Sequence, residues 1–375
     1  MASEIITLAL KSILRNAKDV EVFLAANPGK TDEQLLAAAL ALKNEKSVVR
    51  RKQKELVEKK QSQELRKKVA LGSWDEMLFI ARALVLCGLP YKRTKDREVI
   101  KTARLGNGDK LRVTFKASKS GVDLPFGKDR ALLAWITTCA KKQGNARVKF
   151  ESTAEFIRAF GLSDSGTHYK AFRDSLDRLK GFSCYIEVDN GEKEASHHES
   201  VIKDAVVPSR SDARRELSGE VRLLAEKDHS GYYLELDPSF YQELVDHSVP
   251  LPLDLMKKYG NNPIAWDFIQ LISYRTAAAK TTSRIPLDTL VSMLGSSDSN
   301  IWRLRATLES ILEELKEIWP EMNARFEGKR KNTLFVIGPP LNGHTLVPRK
   351  AKASIGITKM EALDPEVIDV DQEED

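Results

Sequence analysis

The chain has 375 residues, 42% of them hydrophobic and 30% charged, with a formal charge of +6. That length is enough for more than one core, and the basic balance favours a polyanionic partner. No apolar run reaches the roughly 18 to 20 residues of a membrane span, and the opening MASEIITLALKSILRNAKD is too broken by charge to be a signal peptide.

Three widely spaced cysteines, Cys87, Cys139 and Cys184, form no CxxC pair, which suits a reducing compartment. The expectation is a cytoplasmic protein without membrane contact.

Residues 1–72 read as a charged, helical N-terminal region with no committed core. Thr31 and Gln34 fit a capping box, and Leu35, Leu36, Ala39 and Leu42 make one stripe. From Asn44 the stripe thins to Val48, Val49, Leu56, Val57 and Leu65, the pattern of a solvated or partner-dependent helix. Residues 73–121 follow as a small segment: a helix from Trp74 to Leu86, then the strands REVIKTARL and KLRVTFKA. Gly106-Asn107-Gly108 between them signals a hairpin.

Two similar units come next, at 122–237 and 238–345. In the first, FGKDRALLAWITTCAKKQG is a helix, RVKFES a strand and TAEFIRAFG a short helix closed by Gly161. Ser163, Asp164 or Ser165 can cap a further helix from Thr167 to Leu179; SCYIEV, a turn at Asn190-Gly191 and ESVIKDAVV then give a strand, loop and strand. The second unit repeats the order with NNPIAWDFIQLISYRTAAAK, TSRI, PLDTLVSMLG, SNIWRLRATLESILEELKEIW and the hairpin EMNARFEG, KRKN, TLFVIG.

Trp135 echoes Trp266, Phe160-Gly161 echoes Leu294-Gly295, and Leu176 echoes Leu308, at separations of 131 to 134 residues. A recurring order at a fixed offset indicates duplication. The order helix, strand, helix, turn, helix, hairpin predicts a winged helix in each unit, whose second helix enters the major groove. The fold class expected is therefore α+β and helix-rich, with two tandem winged-helix domains behind a helical charged N-terminal extension. Residues 346–375 form an acidic tail expected to be disordered.

On the first recognition helix Phe172, Leu176 and Leu179 are core, leaving His168, Lys170, Arg173 and Arg178 free for DNA. On the second, Ile301, Leu304, Leu308, Ile311 and Leu315 point inward, leaving Trp302, Arg303, Arg305 and Thr307 near its start. Glu309, Glu313 and Glu314 would repel phosphate, so only the first two turns should enter DNA. Asp164 and Asp298 are expected to cap the two helices. Lys329, Arg330 and Lys331 in the wing turn supply phosphate contacts, which position without reading sequence.

LPFGKDRALLAWITT (Leu124 to Thr138), GTHYKAFRDSLDRL (Gly166 to Leu179) and HSVPLPLDLMKKYGNNPIAWDFIQLISYRT (His247 to Thr276), in this order, resemble the RepA-type plasmid replication initiators. The likeness covers about Leu124 to Ile337; residues 1–120 lie outside it. It implies an initiator that binds repeated sites, or iterons, in double-stranded plasmid origin DNA. Such a protein helps open an adjacent A+T-rich duplex and recruits host replication proteins, the helicase and the host initiator. It also implies a homodimer of the free protein, for which this chain offers a candidate interface in its first winged domain and the strand-rich segment Glu220 to Asp237. Carried over, Thr167, His168, Lys170 and Arg173 fall on the family's first recognition helix, and Asn300, Arg303 and Arg305 on the second. The chain departs from the family pattern at Thr167 and His168, where relatives carry further basic residues.

Catalytic readings are weaker. In GVDLPFGKD the spacing of Gly121 and Gly127 is one residue too long for a phosphate loop, and Asp129 stands where Ser or Thr would hold Mg²⁺. Adjacent His197 and His198 on a strand point to opposite faces and make a poor metal pair. Tyr169 and Tyr185 have no base or metal at a recognisable spacing. The expectation is thus a non-enzymatic origin-binding protein without cofactor or metal. A transcriptional repressor using the same helices, or a strand-nicking replication enzyme, is the alternative.

Overall fold

The computed structural model describes residues 4–14, 16–71, 76–104, 109–191, 194–207, 232–294, 300–328, 332–343 and 346. The chain divides into two compact units, Met1–Glu64 and Leu65–Asp375.

The smaller unit holds α1 (Glu4–Leu14), α2 (Ala17–Ala25) and most of α3 (Asp32–Leu71). A small core does form here, contrary to expectation. Ile6, Leu10, Val20, Phe23, Leu35 and Ala39 are buried together, because α1 and α2 cover the apolar first two turns of α3. The capping box at the start of α3 is reciprocal: Thr31 N donates to Gln34 Oε1 (3.1 Å) and Gln34 N to Thr31 Oγ1 (3.4 Å). Further along, Val48, Val49, Leu56 and Val57 are exposed. There the helix carries i,i+4 pairs, Arg51–Glu55 and Lys54–Glu58, each at 3.5 Å.

The larger unit opens with a correction. Met77–Ala81 is a strand, β1, and only Arg82–Leu86 is helical, as α4. The run MLFIA is apolar on both faces, so periodicity alone cannot separate strand from buried helix. Its partner is remote: β1 pairs antiparallel with β9 (Ser248–Pro252). Phe79 lies opposite Pro250, which has no N–H, and side chains from the next helix serve its backbone. Thr137 Oγ1 donates to Phe79 O (2.5 Å), and Phe79 N to Thr138 Oγ1 (2.8 Å). The expected hairpin is present as β2 (Glu98–Arg104) and β3 (Lys110–Ala117), its turn lying outside the described residues. It joins β5 (Phe182–Asp189) and β6 (Glu194–Ser200) in a four-stranded sheet ordered β2-β3-β5-β6.

Around this frame the element order repeats. First come α5 (Asp129–Gln143), β4 (Arg147–Phe150), α6 (Thr153–Ala159) and α7 (Gly166–Lys180), then, after the intervening β5 and β6, β7 (Ile202–Val206) and β8 (Tyr232–Leu236); the expected strand SCYIEV is β5 and so lies in the four-stranded sheet, not in this unit's small one. After α8 (Pro238–His247), β9 and α9 (Leu253–Lys258) come α10 (Pro263–Ala278), β10 (Ser283–Pro286), α11 (Leu287–Leu294), α12 (Ile301–Ile318), β11 (Ala324–Glu327) and β12 (Leu334–Ile337). The small sheets are ordered β4-β8-β7 and β10-β12-β11. In each, the last strand sits between the other two, so the repeat extends from sequence to pairing. The echoed residues Trp135 and Trp266, and Leu176 and Leu308, are all buried. One continuous core runs through both repeats.

Among the described residues no helix is long and apolar enough to cross a membrane.

Candidate nucleic-acid interface

Helix α7 starts where Ser165 takes an extended backbone (φ −138°, ψ 146°) and its carbonyl accepts from His168 N at 2.9 Å. The His168 ring turns back onto that loop. Its Nδ1 lies 2.8 Å from the Ser163 carbonyl and 3.2 Å from the hydroxyls of Ser163 and Ser165. A carbonyl only accepts, so Nδ1 carries the hydrogen. The imidazole therefore fastens the turn and is not the free side chain the sequence suggested. Asp164 caps no amide among the described residues; the extended Ser165 occupies the capping position.

Phe172, Leu176 and Leu179 are buried as expected, joined by Tyr169 and Ser175. Thr167 and Lys170 are exposed and Arg173 is half-buried. Neither Lys170 nor Arg173 has an ion pair among the described residues. Arg178 is the main correction on this helix. Its guanidinium forks onto Asp129, Nε to Oδ2 at 2.6 Å and the second terminal nitrogen to Oδ1 at 2.8 Å, and stacks on Phe126 at 4.7 Å. Asp129 is buried and also accepts from Ser175 Oγ and, at 2.9 Å, from Phe126 N. Burial alone would pull the Arg178 pKa down; the paired carboxylate outweighs it and holds the group above its ordinary value. Arg178 is thus the counter-ion of a buried acid, and a sequence reader has no local cue, because 49 positions separate the partners.

Helix α12 begins at Asn300, whose Oδ1 accepts from Arg303 N at 3.0 Å, so the oxygen assigned to DNA is spent on the cap. Leu304, Leu308, Ile311 and Leu315 point inward as expected, together with Leu312 and Ile318. Ile301 does not. It is 37% exposed beside Trp302, which is 47% exposed, since the first turn lies beyond the edge of the core.

Arg303 is exposed, without an ion pair among the described residues. Arg305 is not available. It bonds Glu309 (2.9 Å) one turn on and Thr333 Oγ1 (3.0 Å) before β12, and lies 6.0 Å from the Phe326 ring of β11. This residue braces the helix against its hairpin. Thr307 returns its hydroxyl to Arg303 O (3.0 Å), the usual back-bond of a threonine inside a helix. Lys329, Arg330 and Lys331 lie outside the described residues, as do Asp298 and the acidic tail beyond Leu346.

What remains outward is a short list of groups at the start of each helix: Thr167, Lys170 and Arg173 on α7, Trp302 and Arg303 on α12. Cations on rigid helices can meet phosphate or the acceptor edge of guanine, and an exposed indole can contact sugar or base.

No protein-family model and no curated protein matches the sequence. Among solved structures, RctB domains 2–3 (RctB-155-483) align at 15% identity with a TM-score of 0.43, covering 68% of this chain and 95% of that one. A selenomethionine derivative of RctB domains 2 and 3 aligns at 14% identity with a TM-score of 0.41, covering 66% and 92%.

Proposed function

We propose that this chain is a non-enzymatic replication initiator that binds double-stranded origin DNA through two tandem winged helices, at 122–237 and 238–345. The single observation that carries the reading is the repeat itself. Among the described residues six elements recur in one order and with one strand order, interrupted in the first copy by β5 and β6, within one compact body. Each copy presents the first turns of one amphipathic helix with cations that have no ion pair among the described residues. A helix-turn-helix inserts such a helix, start first, into the major groove. Two copies in one chain fit successive grooves of repeated sites.

Recruitment of host helicase and host initiator, opening of an A+T-rich duplex, and a dimer of the free protein belong to the same proposal through the sequence resemblance to RepA-type initiators. The test is footprinting on the DNA flanking its own gene, followed by a probe for single-stranded DNA beside the protected sites. Protection of repeated sites over about two helical turns with adjacent opening supports the initiator. Protection without opening or helicase loading supports a repressor instead, and a covalent protein–DNA product would identify a nicking enzyme.

A further inference from the structure

We propose that the buried contact between Arg130 and Asp267 fixes the separation of the two reading helices. The protein would then select DNA by the spacing of two contact sites as well as by their sequence. The proposal rests on the DNA-binding reading above and adds the residues that would set its geometry.

Arg130 lies in the first turn of α5 and Asp267 in the first turns of α10, the opening helices of the two repeats. Both side chains are almost fully buried. Arg130 Nε reaches Asp267 Oδ1 at 2.7 Å and a terminal nitrogen reaches Oδ2 at 2.7 Å. The other three N–H groups go to carbonyls of Gly127 (3.0 Å), Pro90 (3.1 Å) and Leu89. All five guanidinium donors are used.

The same knot takes in β2, where Lys101 donates to the Gly88 carbonyl. The Tyr91 ring covers the guanidinium at 5.1 Å. Gly88 is required here because a Cβ would overlap Asp267 Oδ2. Lys101 is pushed down to about 8 by burial, which marks the site as dry.

A buried ion pair is seldom the most stabilising way to join two surfaces, since apolar contacts avoid its desolvation cost. It differs in geometry. Apolar faces slide and re-pack, whereas a two-pronged fork with every donor engaged has one arrangement. Between two DNA-binding modules, that property has a consequence DNA can report. One added base pair moves the second contact by about 3.4 Å and turns it by about 35°, a displacement a rigid pair of modules cannot follow.

The experiment uses the full-length chain and duplexes carrying the footprinted site with one to five base pairs inserted between its two protected halves. The wild type should lose roughly tenfold in affinity on a single insertion, comparable to a mismatched base pair. Asp267→Asn and, separately, Gly88→Ala, each confirmed folded by circular dichroism, should flatten the profile to about threefold or less while binding to an isolated half-site stays the same. A wild type indifferent to one inserted pair overturns the proposal, whatever the variants do. Folded variants that keep the steep profile also overturn it. Absence of sequence-preferring binding at every spacing overturns the DNA-binding reading itself, a result distinct from either.

Discussion

Helices α7 and α12 occupy the same place in two copies of one unit, yet each uses an arginine differently. In the first copy Arg178, with 19% of its side chain exposed, answers Asp129 at 2%. In the second, Arg305 at 22% answers Glu309 at 40%. One cation neutralises a buried acid and the other strengthens a surface brace between helix and hairpin. Basic residues on an amphipathic helix therefore cannot be counted as DNA contacts until their partners inside the fold are known. After subtraction, α7 offers point charges and a hydroxyl, while α12 offers one cation beside an exposed indole.

The largest expected effect tests that contrast. Arg178→Ala strands a buried carboxylate and should cost about 3–5 kcal/mol, whereas Arg305→Ala should cost about 1 kcal/mol because Glu309 can turn to water. Thermal or urea unfolding of the two variants decides it. Equal losses would mean that Asp129 is rehydrated when its partner goes, and the distinction between the copies would fall.

Much of this architecture is legible in the sequence, because the repeat is written in helical periodicity and in turn residues. The helices around Trp135, Leu176, Trp266 and Leu308 sit where the apolar spacing puts them, and Gly144 closes α5 in the left-handed conformation (φ 62°) that glycine favours. What was hidden depends on distance along the chain. β1 is a strand only because Ser248–Pro252 lies beside it, and Arg178, Arg130 and Asp267 are taken by partners between 40 and 137 positions away. Pairing of that kind leaves no period in a window of residues.

A second effect belongs to the seam the two copies share. Burial brings Lys101 from 10.5 to about 8, against the attraction of Asp267. Between those values the unfolded chain holds a proton there that the folded chain has released. Stability should therefore rise with pH from about 8 to 10.5, by about 3 kcal/mol in total, with no pH dependence from this group below 8. Lys101→Met should remove that rise. A variant whose stability climbs over the same interval as strongly as the wild type would place the titrating group elsewhere.

Next in size are the exposed groups, whose loss should leave stability unchanged. Arg303→Ala should cost about 1–3 kcal/mol of binding and relax preference at one base position, as expected for a guanidinium on a base edge. Lys170→Ala should weaken all sequences alike and reduce the log–log salt slope by about 1, as expected for a phosphate contact. Binding-site selection and a salt titration read the two signatures. If they exchange, point charge reads sequence on α7 and the assignment of roles to the two copies is reversed.

The smallest effect lies outside both copies. Positions 43–68, most of α3 beyond its apolar start, hold eleven Lys and Arg against four Asp and Glu, a surplus of seven that exceeds the +6 of the whole chain. Unlike Arg178 and Arg305, the cations of this stretch are all exposed, although Arg66 pairs with Glu321 (3.9 Å) and Lys68 with Asp254 (3.1 Å). The Arg51–Glu55 and Lys54–Glu58 pairs leave more than half of each side chain exposed. Such pairs contribute about 0.3–0.5 kcal/mol each, so Glu55→Gln with Glu58→Gln should lower stability by less than about 1 kcal/mol. The same change frees two cations. If α3 lies near the DNA backbone, affinity for random-sequence duplex should rise at low salt, with the slope of log affinity against log salt steepening by up to about 0.9 per freed charge. The gain should fade as ionic strength approaches physiological values, where screening confines exposed charges to about 8 Å. An unchanged slope would leave α3 as a solvated helix, and the surplus of charge on it would then have no part in holding DNA.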